Sequence, residues 1–152
     1  MAETVHIDAS DDGLYYEDQV GAWVEDKHRL VSLYETLFST GMKRKWDVRV
    51  CIDLYSGPGL VRVRDTNRFL WGSPLLALRV KNPFDKYICC ESNASALSAL
   101  KTRVGRLFPN ADVHMSQELA TVRSKKSVDI SHCHRAIERF YHFVSLTHTI
   151  CR

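Results

Sequence analysis

A glycine-rich segment directly after an apolar run constrains the fold of this chain more than any other feature. The run, at residues 48–53, is rich in β-branched residues and predicts a buried strand. The segment that follows reads Asp53-Leu54-Tyr55-Ser56-Gly57-Pro58-Gly59. Glycine allows a sharp reversal of the chain and a close approach of its backbone to a ligand. We call this segment the glycine turn, and it predicts an α/β fold with a ligand site at the end of a strand.

The elements after the glycine turn repeat a strand–helix order. They are predicted as a hairpin at residues 60–71, a helix at 74–80, a strand at 86–90, a helix that begins after Ser92 or Asn93, and a strand at 111–115. Ser73 is expected to cap the first of these helices, with Pro74 at the first helical position. This βαβαβ order predicts a Rossmann-like parallel sheet of the α/β class. Its crossovers would place the glycine turn and Glu91 at the same carboxyl edge of neighbouring strands.

The two ends of the chain fit this pattern less well. Residues 1–20 are polar and acidic and are expected to form a loose arm. Residues 117–152 contain no convincing strand and predict an atypical tail, weakly structured or helical. Residues 21–116 between them form the predicted cofactor-binding domain. A complete doubly wound sheet needs further strands, so the expectation is a sheet truncated after its third strand.

An amphipathic helix is predicted at residues 22–39, ahead of the sheet. Its apolar positions recur at helical spacing and are Trp23, Leu30, Val31, Tyr34, Leu37 and Phe38. Large aromatic side chains dominate buried cores, so Trp23 is expected to belong to the core.

Composition and charge are those of an ordinary globular protein. The 152 residues are 45% hydrophobic and 26% charged, with a net charge of +3. No apolar stretch approaches the ~18 residues of a membrane span, and the acidic N-terminus does not resemble a secretory signal. A cytoplasmic location without a membrane partner is therefore expected. The spacing of residues 132–134 and Cys151 matches no standard zinc site, so no metal is expected.

Three kinds of nucleotide site compete for the glycine turn. An NTPase loop needs Gly-Lys-Ser or Gly-Lys-Thr after its glycines, and neither follows. A dinucleotide site needs a third glycine where Arg62 stands and a helix directly after it, whereas a hairpin follows here. A methyltransferase turn needs no pyrophosphate-binding helix start and therefore fits best. The predicted cofactor is S-adenosylmethionine.

The predicted cofactor-binding residues lie in the glycine turn and at the end of the next strand. They are Asp53, Ser56, Gly57, Gly59 and Glu91. The Glu91 carboxylate is expected to accept hydrogen bonds from both ribose hydroxyls, each worth about 1.5–3 kcal/mol. Asp53 is expected to orient the turn or to accept a hydrogen bond from the ligand's ammonium group. No catalytic residue is indicated. In the alternative interpretation, the glycines form only a tight turn and Glu91 is a solvated cap.

Residues 13–115 resemble the three-Cys-motif partner (TcmP) family of methyltransferase-like proteins. The matching stretches are Gly21-Ala22-Trp23 with Lys27, residues 40–46 (TGMKRKW), residues 52–59 (IDLYSGPG) and residues 72–78 (GSPLLAL). The resemblance implies a Rossmann-like fold and a partner, the three-cysteine-motif protein encoded nearby. The chain departs from the family pattern after the third strand, where Ser116-Gln117-Glu118 stands in place of a Gly-Asp-like turn. The resemblance therefore assigns no adenine-contacting acid.

A second class of function stays open. Arg62, Arg64 and Arg68 alternate along the predicted hairpin and could form a basic rim for nucleic acid or an acidic partner. Alternating arginines on a hairpin are more often a solvated face. In this alternative, the chain is a non-catalytic interaction module that works with a partner protein, with or without nucleic acid. A third interpretation is an isolated fragment without activity of its own.

Overall fold

The computed structural model describes residues 6–64 and 66–117. The chain divides into two compact units after Gln117, and the second unit, residues 118–152, lies outside the described residues. The predicted tail, apart from Gln117, and the histidine and cysteine cluster at residues 132–134 therefore fall outside this description.

The described residues form three helices and seven strands. The helices are α1 (Trp23–Met42), α2 (Ser73–Leu78) and α3 (Ala94–Leu107). The strands are β1 (Asp8–Ala9), β2 (Glu17–Val20), β3 (Val50–Asp53), β4 (Leu60–Val63), β5 (Phe69–Trp71), β6 (Lys86–Cys90) and β7 (Val113–Ser116). Within the described ranges, no helix combines the length and the apolar character that crossing a membrane requires.

One sheet is all-parallel and contains the strand that ends at the glycine turn. Its strand order is β3-β6-β7, with Cys51 paired to Tyr87 and Cys89 paired to Met115. This arrangement confirms the predicted α/β class and the predicted parallel strands. The bounds of β6 are those predicted, whereas β3 and β7 each begin two residues later than predicted.

The described helices cover one face of this parallel sheet. Tyr87 and Cys89 of β6 share a core cluster with residues of α2 and α3, among them Leu75, Leu78, Leu100 and Val104. Phe38 of α1 and Cys51 of β3 pack against the same cluster. Because side chains alternate along a strand, Ile52 and Ile88 point to the opposite face.

A second sheet combines the predicted hairpin with residues that were expected to form a loose arm. Its strand order is β1-β5-β4-β2. β4 and β5 pair antiparallel, with Leu60 opposite Trp71, which confirms the hairpin. β1 adds antiparallel to β5, and β2 adds parallel to β4. At two and four residues, β1 and β2 are too short to show a readable alternation of polar and apolar side chains.

Helix α1 buries its polar side and exposes much of its apolar side. Its buried residues follow one helical stripe and are Val24, His28, Ser32, Thr36 and Ser39. The expectation that Trp23 belongs to the core is wrong, because Trp23 is 62% exposed. The small buried side chains let α1 pack closely against α2. The hydroxyls of Thr36 and Ser39 donate to the carbonyls of Ser32 and Thr36 at 2.8 and 3.2 Å, which satisfies these two donors, whereas the buried hydroxyl of Ser32 has no hydrogen-bond partner among the described residues.

His28 makes the stability of this fold sensitive to mild acid. Burial lowers the pKa of its imidazole from 6.5 to about 4. Below pH 6.5 the unfolded chain therefore binds a proton that the folded chain binds only near pH 4. The contribution of the neutral, buried His28 to the free energy of unfolding is fully present above pH 6.5 and is lost as the pH falls towards about 4. We expect the free energy of unfolding to fall by about 1 kcal/mol per pH unit between about pH 6.5 and 5.

Urea titrations across this pH range test the role of His28. We expect the pH dependence to disappear in His28→Leu and to persist in the control His114→Gln, whose side chain is exposed on β7. A wild-type stability that stays constant between about pH 6.5 and 5 would contradict the assignment.

Candidate functional site

The glycine turn is anchored to the end of the neighbouring strand. The backbone N–H and the hydroxyl of Ser56 both donate to the carbonyl of Cys90, at 3.1 and 3.2 Å. Ser56 is buried at 4% exposure. This predicted site residue therefore fixes the turn against β6, and its hydroxyl hydrogen is already used within the protein.

The two glycines of the turn have different surroundings. Gly57 and Gly59 have positive φ angles of 61° and 80°, which favour glycine. A Cβ added at Gly57 would meet no atom within 4 Å, whereas one added at Gly59 would lie 2.9 Å from Leu100 and 3.0 Å from Leu75. Gly57 thus borders open space where a ligand can approach the backbone. Gly59 is required by packing, since its backbone also contacts Gly72, whose added Cβ would lie 3.1 Å from Gly59 Cα.

Glu91 is hydrogen-bonded to the glycine turn. Its Oε2 accepts from the N–H of Gly57 at 2.9 Å, and its Oε1 accepts from the N–H of Asn93 at 2.8 Å and the hydroxyl of Ser92 at 3.3 Å. The structure therefore brings Glu91 and the turn together at one sheet edge, as predicted. A carboxylate offers about four acceptor positions. A ribose with two hydroxyls would use the remaining position and replace one of these internal bonds.

Asp53 links the end of β3 to the start of α2. Its Oδ2 accepts from the hydroxyl of Ser73 at 2.6 Å, and its Oδ1 accepts from the N–H of Tyr55 at 3.2 Å. The prediction that Ser73 caps α2 is wrong, because Gly72 occupies the cap position and makes no side-chain hydrogen bond. The Ser73 hydroxyl is directed to the carboxylate instead, since a charged acceptor forms the stronger hydrogen bond.

Glu35 is a site residue that the sequence did not reveal. It lies on α1 with its Oε1 3.9 Å from Cys51 Sγ, close to Asp53. Burial raises the pKa of Glu35, and the negative charge of Asp53 raises it further. Burial also raises the pKa of the Cys51 thiol, so this cysteine stays protonated at neutral pH. A glutamate on the polar side of an amphipathic helix is usually solvated. The position of Glu35 in the sequence therefore did not indicate a site residue.

Arg103 supports the glycine turn from within α3. Its Nη1 donates to the carbonyls of Pro58 at 2.6 Å and Tyr15 at 2.8 Å. Its Nε and Nη2 donate to the two carboxylate oxygens of Asp12 at 2.8 and 2.6 Å. Arg103 is only 1% exposed, and its hydrogen bond to Asp12 lowers the pKa of that carboxyl. One buried guanidinium therefore joins the turn to the N-terminal segment.

The predicted arginine rim lies on the second sheet, where Arg62 and Arg68 form ion pairs within the chain. Arg62 forms a two-pronged ion pair with Asp18 at 2.7 and 2.8 Å. Arg68 bonds to Asp8 at 2.6 Å and to Glu25 at 2.7 Å. Arg64 is exposed at the end of the same hairpin. These pairs offset much of the positive charge that a nucleic-acid surface would need. The acidic residues ahead of the β4–β5 hairpin therefore serve as partners of its arginines.

Among the described residues, no group of three or more histidine, cysteine, aspartate or glutamate side chains could hold a metal ion. No family model, curated protein or solved structure matches the chain.

Proposed function

We propose that this chain is a methyltransferase-like protein that binds S-adenosylmethionine, with the Rossmann-like sheet of class I methyltransferases and a place in the three-Cys-motif partner family. The observation that carries the proposal is the hydrogen bond between Glu91 and the N–H of Gly57. It joins the acid at the end of β6 to the turn at the end of β3, where Gly57 borders open space. Parallel α/β sheets bind their ligands at this edge.

The charge of the site favours this cofactor over a dinucleotide. Asp53, Glu35 and Glu91 place carboxylates around the end of β3, and no described arginine is hydrogen-bonded to them. A pyrophosphate would be repelled by such a site, whereas the ammonium and sulfonium groups of S-adenosylmethionine are attracted to it. The hairpin β4–β5 follows the turn directly, so the turn does not open a helix as the phosphate-binding turn of a dinucleotide site does.

The residues of the turn have distinct proposed roles. Glu91 would accept hydrogen bonds from the ribose hydroxyls, and Gly57 would let the ligand reach the backbone. Asp53, steadied by Ser73, would face the cationic end of the ligand together with Glu35. The bound cofactor supplies a methyl group on a sulfonium, and the methyl acceptor and catalytic residues are not assigned. In the family proposal, the chain works in the cytoplasm with a three-cysteine-motif protein.

A second candidate function is a non-catalytic interaction module for a partner protein. The exposed apolar side of α1 favours it, with Leu30, Tyr34 and Leu37 each more than half exposed. Exposed apolar surfaces of this kind mark sites of association. The two functions are compatible, because the apolar side of α1 and the glycine turn involve different residues.

Titration calorimetry with S-adenosylhomocysteine tests the proposed function. We expect wild-type protein to bind, and Glu91→Ala to bind at least tenfold more weakly, because a hydrogen bond to a charged acceptor contributes about 1.5–3 kcal/mol. Glu17→Ala is the matched control, since this exposed carboxylate lies on β2 of the other sheet. Absence of binding to the folded wild type, or equal affinity in Glu91→Ala, would refute the proposal.

A further inference from the structure

An apolar surface wraps around the β3 edge of the parallel sheet, with α1 and the loop after it on one face and Ile52 on the other. It comprises Leu30, Tyr34 and Leu37 on α1, Trp46 and Val48 in the loop that follows, and Ile52 on β3; we call it the α1/β3 face. These residues are between 41% and 66% exposed. Ring centroids lie 6.1 Å apart for Tyr34 and Phe38 and 5.7 Å apart for Phe38 and Trp46. The helix and loop parts of the face are therefore continuous.

The face ends at an edge strand. Among the described strands, β3 pairs only with β6, so its other edge presents backbone N–H and C=O groups for pairing. Ile52 is 47% exposed, whereas its paired neighbour Ile88 on the same face is 2% exposed. Parallel sheets occur almost only with both faces covered. Among the described residues, the sheet thus has an unpaired and half-exposed edge at β3, where the apolar side of α1 is also exposed.

The size of the α1/β3 face matches that of a specific protein interface. An aromatic side chain can bury about 150–250 Å². At the observed exposures, the six side chains together offer roughly 600 Å². Two such faces would bury about 1,200 Å², which is the lower bound for stable protein–protein interfaces, and pairing of strand backbones would add to it. A single face of this size is at the upper limit for the surface of a monomer.

We propose that the α1/β3 face binds a second copy of this chain, with β3 paired to β3 across a twofold axis parallel to the strands. Such an axis preserves strand direction and joins two three-stranded sheets into one parallel sheet of six. The same rotation turns the sheet of the second copy over, so the helices of the two copies lie on opposite faces of the joined sheet. Helix α1 of one copy then lies above the face of the partner strand that carries Ile52. The contact is reciprocal, as a twofold interface requires, and it gives the joined sheet helices on both faces.

Sedimentation equilibrium of the full chain at several concentrations tests this dimer. We expect a mass twice that of the 17.4 kDa chain. Tyr34→Glu and Leu37→Glu should each raise the dimer dissociation constant at least tenfold, because a charge would be buried in the interface. Leu107→Glu is the matched control, since Leu107 is 45% exposed on α3, away from the face. A wild type that is monomeric at every concentration, or a dimer unaffected by both α1 substitutions, would overturn the proposal.

A photo-crosslinking residue at position 37 identifies the occupant directly. In a mixture of isotopically light and heavy chains, we expect light–heavy products that join position 37 of one copy to residues 50–53 of the other. Cross-links confined to one copy, including those to residues 118–152, would overturn the proposal by showing that the chain covers its own face. Neither experiment contains the cofactor, so the dimer and the proposed function succeed or fail independently.

Discussion

Replacing Arg103 by methionine is expected to lower the free energy of unfolding by about 3 kcal/mol. Removing one partner of a buried ion pair costs about 3–5 kcal/mol, and the Asp12 side chain, at 28% exposure, can recover part of its hydration. The substitution also leaves the carbonyl of Pro58 without the donor that holds it at 2.6 Å. A loss of this size is a large fraction of the total stability of a small domain.

Urea denaturation followed by circular dichroism measures this loss. Arg106→Met is the matched control, because Arg106 is exposed in the last turn of the same helix. We expect the control to change stability by less than about 0.5 kcal/mol. A stability of Arg103→Met within that margin of the wild type would show that the guanidinium does not support the glycine turn.

Substitution of the two turn glycines by alanine is expected to separate folding from ligand binding. Gly59→Ala should lose about 2–5 kcal/mol of stability, since a positive φ costs a non-glycine residue about 1–2 kcal/mol and overpacking against Leu75 and Leu100 adds about 1–3. Gly57→Ala incurs only the backbone strain, because its Cβ would enter open space. That same Cβ would occupy the space that the cofactor is proposed to fill.

Chemical denaturation and calorimetry on both variants provide the two measurements. We expect Gly57→Ala to stay folded and to bind S-adenosylhomocysteine at least tenfold more weakly than the wild type. Equal stability losses in the two variants would mean that the packing around Gly59 does not determine the turn. Full binding by Gly57→Ala would place the ligand elsewhere.

The elements with strong local signals could be predicted from the sequence. The apolar run at residues 86–90 has β-branched and aromatic character, and the polar residues after it include Asn93, which caps α3 by accepting from Ser95 and Ala96. The glycine turn and Glu91 each end a strand, so parallel pairing alone brings them to one edge. Their direct hydrogen bond was not predicted, because strand pairing fixes the edge but not the side-chain position of Glu91.

The missed features depend on contacts between distant parts of the chain. Arg103 and Asp12 are 91 residues apart, and the sequence around either residue does not indicate that the two form an ion pair. Arg103 stands three residues after Leu100 and directly before Val104, on the side of α3 that faces the core. A charged residue at such a position is a sign of a buried ion pair, and it is the one local signal that could have indicated this contact.

The orientation of α1 could not be predicted from amphipathicity alone. The periodicity locates an apolar stripe correctly, but which side of the helix is buried depends on what the neighbouring elements offer. Here α1 packs against α2 and buries the small side chains of Ser32, Thr36 and Ser39, while Leu30 and Tyr34 stay exposed. The exposure of the apolar side of α1 and the burial of its polar side are explained if the apolar side packs against a second copy, as proposed above.

The most direct measurement of the proposed site is a thermal shift of the full chain with a panel of nucleotides. A ligand at 100 times its Kd stabilises the folded state by about 2.7 kcal/mol, which raises the Tm of a domain of this size by several degrees. We predict such a rise with S-adenosylmethionine and S-adenosylhomocysteine, and none with NAD or ATP at the same concentration. An unchanged Tm with both sulfur-containing ligands, or a rise with NAD in their place, would contradict the assignment of the glycine turn and Glu91.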